Sequence, residues 1–242
     1  MKDKATKKRF TELRLDFGKE VVITGMNLDK KGQLVFFDQN GNKLDPELIE
    51  AGIAYRRSSG KIKSLNRHKP DTKKIILNQA KALTKYNWLF AVDTNTKTNG
   101  ADKISISVSI NVNYSISNET WDAKIDKVDA IVFKNSIIPA ELFGWMDLIH
   151  RIVNAPDYSK ALSVGIITDY EIDKLNLYNS RKISLYQDKY LPENIEFIYA
   201  SADTGMDFPA NKLIRFCDNK AKEIFRTVDL SNFSSKPNKG FV

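Results

Sequence analysis

The sequence predicts an α/β fold: a mixed five-stranded sheet flanked by helices, preceded by a small α+β N-terminal region. Three stretches carry that expectation. "KISISVSINVNYS" alternates apolar and polar residues, with Ile104, Ile106, Val108, Ile110 and Val112 on one face, the period of a strand. "ALSVGIITD" is a short apolar run of the kind that fills a sheet centre. Between them, "PAELFGWMDLIHRIVN" places Leu142, Trp145, Ile149 and Ile152 at helical spacing.

The elements follow in chain order. "MKDKATKKRF" is charged and reads as a frayed start. Two β-rich runs, 21–24 and 33–37, are joined by "NLDKKG" and followed by the turn signal "DQNGN", which predicts a hairpin or small meander. "DPELIEAGIAYRR" opens like a helix, with Asp45 as N-cap and Pro46 at the first position. "SSGKIKSLNRHKP" is polar and basic, a linker or exposed loop, and "DTKKIILNQAKALTKY" is an amphipathic helix capped by Asp71. "WLFAVDTNT" is the first strand of the main domain, ending at Asp93 with Asn95 in the turn beyond. The alternating stretch is the second strand and "KVDAIVFKN" the third. A helix, the apolar fourth strand, a short helix or loop, the strand "IEFIYASAD" and the helix "PANKLIRFCDNKAKEIFR" complete the order. Three successive strands make an antiparallel meander, and the helical crossover sets the fourth parallel to one of them. The expected division is a basic region 1–85, a candidate nucleic-acid-binding module; a main domain 86–230; and a flexible tail 231–242.

Composition narrows the function classes. With 242 residues, 42% of them hydrophobic, the chain supports one domain with an appendage or two small domains. A single cysteine, Cys217, excludes an intrachain disulfide and any cysteine-based zinc site. Cys217 sits among apolar neighbours as a small core residue rather than a nucleophile, and His68 and His150 have no metal-ligand spacing. No glycine-rich Walker-type loop is present. With no apolar leader and no apolar run long enough for a bilayer, the chain reads as cytoplasmic, without a membrane partner. The net charge of +8 is unevenly placed: residues 1–85 hold 20 Lys+Arg and 10 Asp+Glu, the remainder 18 and 20. A basic first third favours phosphate backbones through counterion release, although a solubilising terminus or a contact with an acidic protein has the same charge.

Four carboxylates stand out by placement. Asp93 ends the first main strand, Glu141 lies in the first turn of the following helix, Asp169 ends the fourth strand and Asp218 lies midway along the last helix. Each alone has an ordinary explanation. Asp93 can cap a turn, Glu141 complement a helix N-terminus, Asp169 cap the next helix, and Asp218 face water and pair with Lys222 at i+4. Jointly they require four coincidences. Carboxylates that converge repel one another unless cations lie between them, and hard oxygen donors suit Mg²⁺ or Mn²⁺.

With that element order the stretch 86–228 resembles the ribonuclease H family. "AVDTNT" is similar to the family's opening strand and its Asp, "NSIIPAELFGWMDLI" to the lead-in and Glu-Leu of its first helix, "IITDYEI" to its Thr-Asp-Ser-x-Tyr-type segment, and "FPANKLIRFCDNKAKEI" to the Ala-Asp-x-x-Ala core of its last helix. The resemblance implies that Asp93, Glu141, Asp169 and Asp218 bind two Mg²⁺ or Mn²⁺ ions. It implies endonucleolytic cleavage of the RNA strand of RNA–DNA hybrids by a two-metal mechanism. Where many members carry a Lys-Gly-His-Ser-Gly-like loop before the last helix, this chain has "ASADTGMD", with Asp203 or Asp207 in place of the auxiliary His. The alternative expectation is therefore a catalytically weak or inactive nucleic-acid-binding or scaffold subunit on the same fold. Trp121, Tyr170 and Arg181 are further candidates for holding a strand, with core packing or ordinary surface as their simpler role.

Overall fold

The computed structural model describes residues 11–16, 21–24, 27–28, 34–37, 43–44, 56–58, 61–63, 72–99, 102–117, 120–134, 136, 138–203 and 208–227. The described elements are β1 (Thr11–Asp16), β2 (Val21–Thr24), β3 (Asn27–Leu28), β4 (Leu34–Phe37), β5 (Lys43–Leu44), β6 (Arg56–Ser58), β7 (Lys61–Lys63) and α1 (Thr72–Leu83). They continue with β8 (Trp88–Asn99), β9 (Asp102–Ser117), β10 (Thr120–Lys134), α2 (Ala140–Val153), β11 (Val164–Thr168), α3 (Ile172–Asn179), β12 (Ile195–Tyr199) and α4 (Pro209–Thr227). The chain is α/β, and the five strands expected between residues 86 and 203 are all present in one mixed sheet.

That sheet runs β1-β10-β9-β8-β11-β12, with β2 also paired to β10. β8, β9 and β10 form the antiparallel meander, and β11 lies parallel to both β8 and β12. The two faces bury different layers. Leu89, Ala91 and Ile167 pack with Leu213, Ile214, Cys217, Ala221 and Ile224 of α4 and with Ala80 and Leu83 of α1. Phe90, Val92 and Ile166 pack on the other side with Trp145, Leu148, Ile149 and Ile152 of α2. β9 shows why alternation in sequence does not mean one wet face. Ile104, Ile106, Val108 and Ile110 are buried, and so are Ser105, Ser107 and Ser109 on the opposite face. The serines keep that face low enough for α2 to lie close.

Gly144 marks the closest approach. A Cβ there would meet Thr94 Oγ1 at 2.7 Å and collide with the side chain of Ser107, so only glycine lets α2 seat on β8 and β9. Arg151, in the last turn of α2, fixes the other end. Its guanidinium donates to Asp147 at 3.0 Å, to Asp129 at 2.8 Å and to Ser109 Oγ at 2.7 Å, tying α2 to β10 and β9.

Several expectations are corrected. Segments 21–24 and 33–37 do not pair with each other: β2 joins β10 of the main sheet, while β4 pairs with β3 and β5. β6, which takes the last two residues of the stretch expected to open as a helix and the first of the expected linker, forms a small antiparallel pair with β7 inside that linker. β1, a stretch for which no element was expected although Leu13 and Leu15 alternate with Glu12, Arg14 and Asp16, pairs with β10 over residues 129–134. A β-bulge between Ile125 and Lys127 separates the parts of β10 that take β2 and β1. The expected Asp45 and Asp71 caps and the tail 231–242 lie outside the described residues.

Candidate metal centre

The four carboxylates come from four elements. Asp93 does not end its strand, as expected, but stands midway along β8, which continues to Asn99. The physical reason lies in its neighbours. Pairing with β11 stops at Ala91, whereas pairing with β9 persists to Asn99. Asp93 therefore sits just past the point where β8 and β11 part, and Asp169 immediately follows Thr168, the last residue of β11. β11 ends there while β8 runs on beside β9, so both aspartates stand at the carboxyl end of β11, where the two strands diverge.

α4 supplies the third group. Its buried face carries Leu213, Ile214, Cys217 and Ala221 into the core, and Asp218, on the rim of that face, is buried with them. Asp218 thus does not face water. Asn95 connects it to the strand: Nδ2 lies 3.0 Å from Asp218 Oδ1 and 3.3 Å from Asp93 Oδ2, with the backbone oxygen of Asp218 at 3.5 Å. Asn95, expected in a turn, is instead a strand residue that joins two of the expected ligands. Residues two apart in a strand share a face, so the one signal for it was the continuation of β8 past Asp93.

Electrostatics show the same convergence. The Asp93 carboxyl is pushed up to about 7, first by burial, then by the charges of Asp218 and Asp169 and, after a partial offset from the Thr94 backbone N–H, by Glu141. All three other carboxylates thus act on Asp93, Glu141 the least. Glu141 occupies the first turn of α2, where the helix N-terminus favours a negative charge.

Two further carboxylate oxygens accept from protein donors. Asp218 Oδ2 accepts from the Lys222 ammonium, the i+4 pair expected from the sequence, and Asp169 Oδ2 accepts from Ala202 N–H at 2.9 Å. Asp169 does not cap the next helix, because α3 starts at Ile172 with Glu171 at the N-cap. Among the described residues no three Asp, Glu, His or Cys side chains are drawn together as a ready cage for an ion. The donor chemistry still suits a hard divalent cation: carboxylate oxygens, with the Asp93 carboxyl held away from its ionised form by burial and then by the charges of Asp218 and Asp169.

Beside these carboxylates, α4 holds the segment 199–203 in place. Buried Asn211 at the start of α4 donates to Ser201 O at 2.7 Å, and Arg215 Nε donates to Ala202 O at 3.3 Å. On the α2 side, Trp145 Nε1 donates to Thr168 Oγ1 at 3.0 Å while its ring lies against Tyr170, Tyr178 and Phe197. Asp203 is exposed, and its charge and that of Asp169, after burial, raise the Tyr199 phenol above its usual range. Asp207 lies outside the described residues.

The other candidates take structural places. Trp121 is fully buried, and Tyr170 packs edge-on against Trp145. Arg181, in a left-handed conformation at φ 55°, spends its guanidinium on the carbonyls of Asn179, Leu191, Pro192 and Ile195, bracing the segment before β12. The Cys217 thiol is buried and pushed well up by that burial and by Asp93 and Asp218, which removes it as a nucleophile. No helix among the described residues is long and apolar enough to cross a membrane. No protein-family model matches the chain, and no curated protein matches it.

Proposed function

We propose that this chain is a divalent-metal-dependent endonuclease of ribonuclease H type, acting on the RNA strand of RNA–DNA hybrids through two metal ions. The observation that carries the reading is the placement of four carboxylates. Asp93 and Asp169 stand where the adjacent parallel strands β8 and β11 part, Asp218 reaches Asp93 through Asn95, and Glu141 adds its charge from α2. The mixed sheet, an antiparallel meander followed by a parallel crossover strand, is consistent with the element order on which the ribonuclease H resemblance rests.

Asp93, Asp169, Asp218 and Glu141 would hold the ions, which when bound supply an activated water and a counter-charge for the leaving oxygen. The chain's own part is to orient. Asn95 fixes the spacing of Asp93 and Asp218, Ala202 N–H aims Asp169, and Trp145 anchors the strand end that carries it. The basic first third supplies affinity for a polyanion.

The test is cleavage of a labelled hybrid in Mg²⁺ or Mn²⁺ by the parent, Asp93→Asn and Asp169→Asn. Cleavage is expected in the parent and a loss of at least about a thousandfold in each variant, with cooperative unfolding retained. Variants that cut like the parent would overturn the site. A second reading, a non-catalytic hybrid-binding subunit on the same fold, draws on the engagement of Asp169 Oδ2 by Ala202 N–H and of Asp218 Oδ2 by Lys222. Hybrid binding with no cleavage in either metal selects it.

A further inference from the structure

We propose that Lys222 is the resident counter-ion of the metal-free site: its ammonium holds the position at Asp218 that a divalent cation takes, and cation entry requires Lys222 to leave. This deepens the metal-dependent reading above and rests on it. Lys222 lies one turn beyond Asp218 on α4, and its Nζ donates to Asp218 Oδ2. The other oxygen, Oδ1, accepts from Asn95 at 3.0 Å. Both oxygens of Asp218 are thus occupied by donors, one fixed in a strand and the other on a flexible stem.

The two partners differ in freedom. The Asp218 side chain is 13% exposed and sits on the packed side of its helix, whereas that of Lys222 is 48% exposed. The lysine can swing into water by rotating its stem, but the aspartate cannot follow without lifting α4 from the sheet. An ammonium is also an incomplete answer to this site. It carries one charge and meets one carboxylate, while Asp93 remains among like charges. A divalent cation answers both carboxylates, so exchange is favoured once the cation is supplied.

Arg151 shows what a permanent clasp looks like in the same molecule. Its guanidinium reaches Asp147, Asp129 and Ser109 at once, a planar arrangement that no single rotation undoes. Lys220 provides the comparison on α4 itself: its ammonium pairs with both carboxylate oxygens of Glu223, at 2.9 and 3.0 Å. Lys222 has the single, exposed contact of an exchangeable ion, made to an expected ligand.

The experiment is calorimetric titration of the full chain with Mn²⁺ in the absence of nucleic acid, comparing the parent with Lys222→Ala, Lys222→Gln and Lys220→Ala. Both Lys222 variants should bind Mn²⁺ about fivefold more tightly, the value of one half-exposed ion pair that no longer has to be broken. Lys220→Ala, which removes the same charge nearby, should change affinity by less than about twofold. Equal or weaker binding by the Lys222 variants beside a parent that binds Mn²⁺ overturns the counter-ion role and leaves the metal-dependent reading standing. So does an equal gain in Lys220→Ala, which would make the effect one of net charge. A parent that takes up no Mn²⁺ at all removes that reading and this inference together. Thermal unfolding of each variant confirms that the folded chain is being titrated.

Discussion

Asp93 concentrates the conflict between fold and chemistry. Its carboxyl belongs near 4 in water but is held near 7, because burial and three neighbouring carboxylates disfavour the charge. A carboxyl whose folded value lies above its unfolded one stabilises the fold at low pH, and that contribution is lost as pH rises through the folded value. The metal-free protein should therefore lose stability between about pH 4 and pH 7. Denaturant unfolding in chelator across this window should show the fall. Asp93→Asn should flatten it and, at pH 8, exceed the parent by about 1–3 kcal/mol. An unchanged slope in the variant would mean that the like charges do not meet at Asp93. Asn95→Asp tests the same cluster from the other side. It replaces the shared donor with a further acid and should cost about 1–3 kcal/mol without metal, recovered in part by Mn²⁺ in thermal shift. Glu141, Asp169 and Asp218 are legible in the sequence from their places in or beside their elements, whereas Asp93 is legible only as an acid closing an apolar run in a strand that continues to Asn99. Asn95 is not, because "TNTKTN" carries no apolar alternation and reads as the end of a strand that in fact continues.

At the scale of elements, the position of Glu141 depends on how close α2 comes to the sheet. Gly144, one turn later, is where the helix backbone meets Thr94 and Ser107. Gly144→Ala adds a methyl where neither neighbour can retreat far, since Thr94 and Ser107 project from paired strands. Despite the better helix propensity of alanine, the substitution should cost about 1–3 kcal/mol by displacing α2. Hybrid cleavage should fall further than that loss of stability explains, because Glu141 shifts with the helix; urea midpoints and initial rates on the same preparations separate the two effects. Helices α2 and α4 were readable from the sequence to within about two residues, their apolar faces being strongly periodic. β10 was read short. Its first half, "TWDAKID", alternates Trp121, Ala123 and Ile125 with polar residues, but small Ala123 and the bulge after Ile125 blur the period. Nothing local in residues 21–37 distinguishes a hairpin from strands that choose other partners, because partner choice is a long-range matter of sheet edges.

For the whole molecule, that choice of partner changes what the first third does. By its charge, the segment 1–85 is expected to serve as a polyanion grip, and a grip can be removed without harming the domain it serves. The pairing of β1 and β2 argues otherwise. Together they cover β10 at residues 129–134 and 122–125, nearly the full length of a strand that would otherwise be the sheet's edge. β10 carries Trp121, Ile125, Val132 and Phe133 in the core, so it cannot fray without opening both layers. An exposed edge of that length, apolar on much of both faces, is a template for pairing with another chain. A chain beginning at residue 72 keeps α1 and every strand of the meander and crossover but uncovers β10. It should unfold at lower denaturant than the full chain and self-associate as concentration rises, seen as a growing early peak in size-exclusion chromatography. It should also bind hybrid more weakly and with a shallower dependence on salt, since most of the basic excess goes with it. Loss of affinity alone, with stability and monomer unchanged, would restore the independent-module view. Loss of both is what a segment that completes the sheet and carries the charge requires.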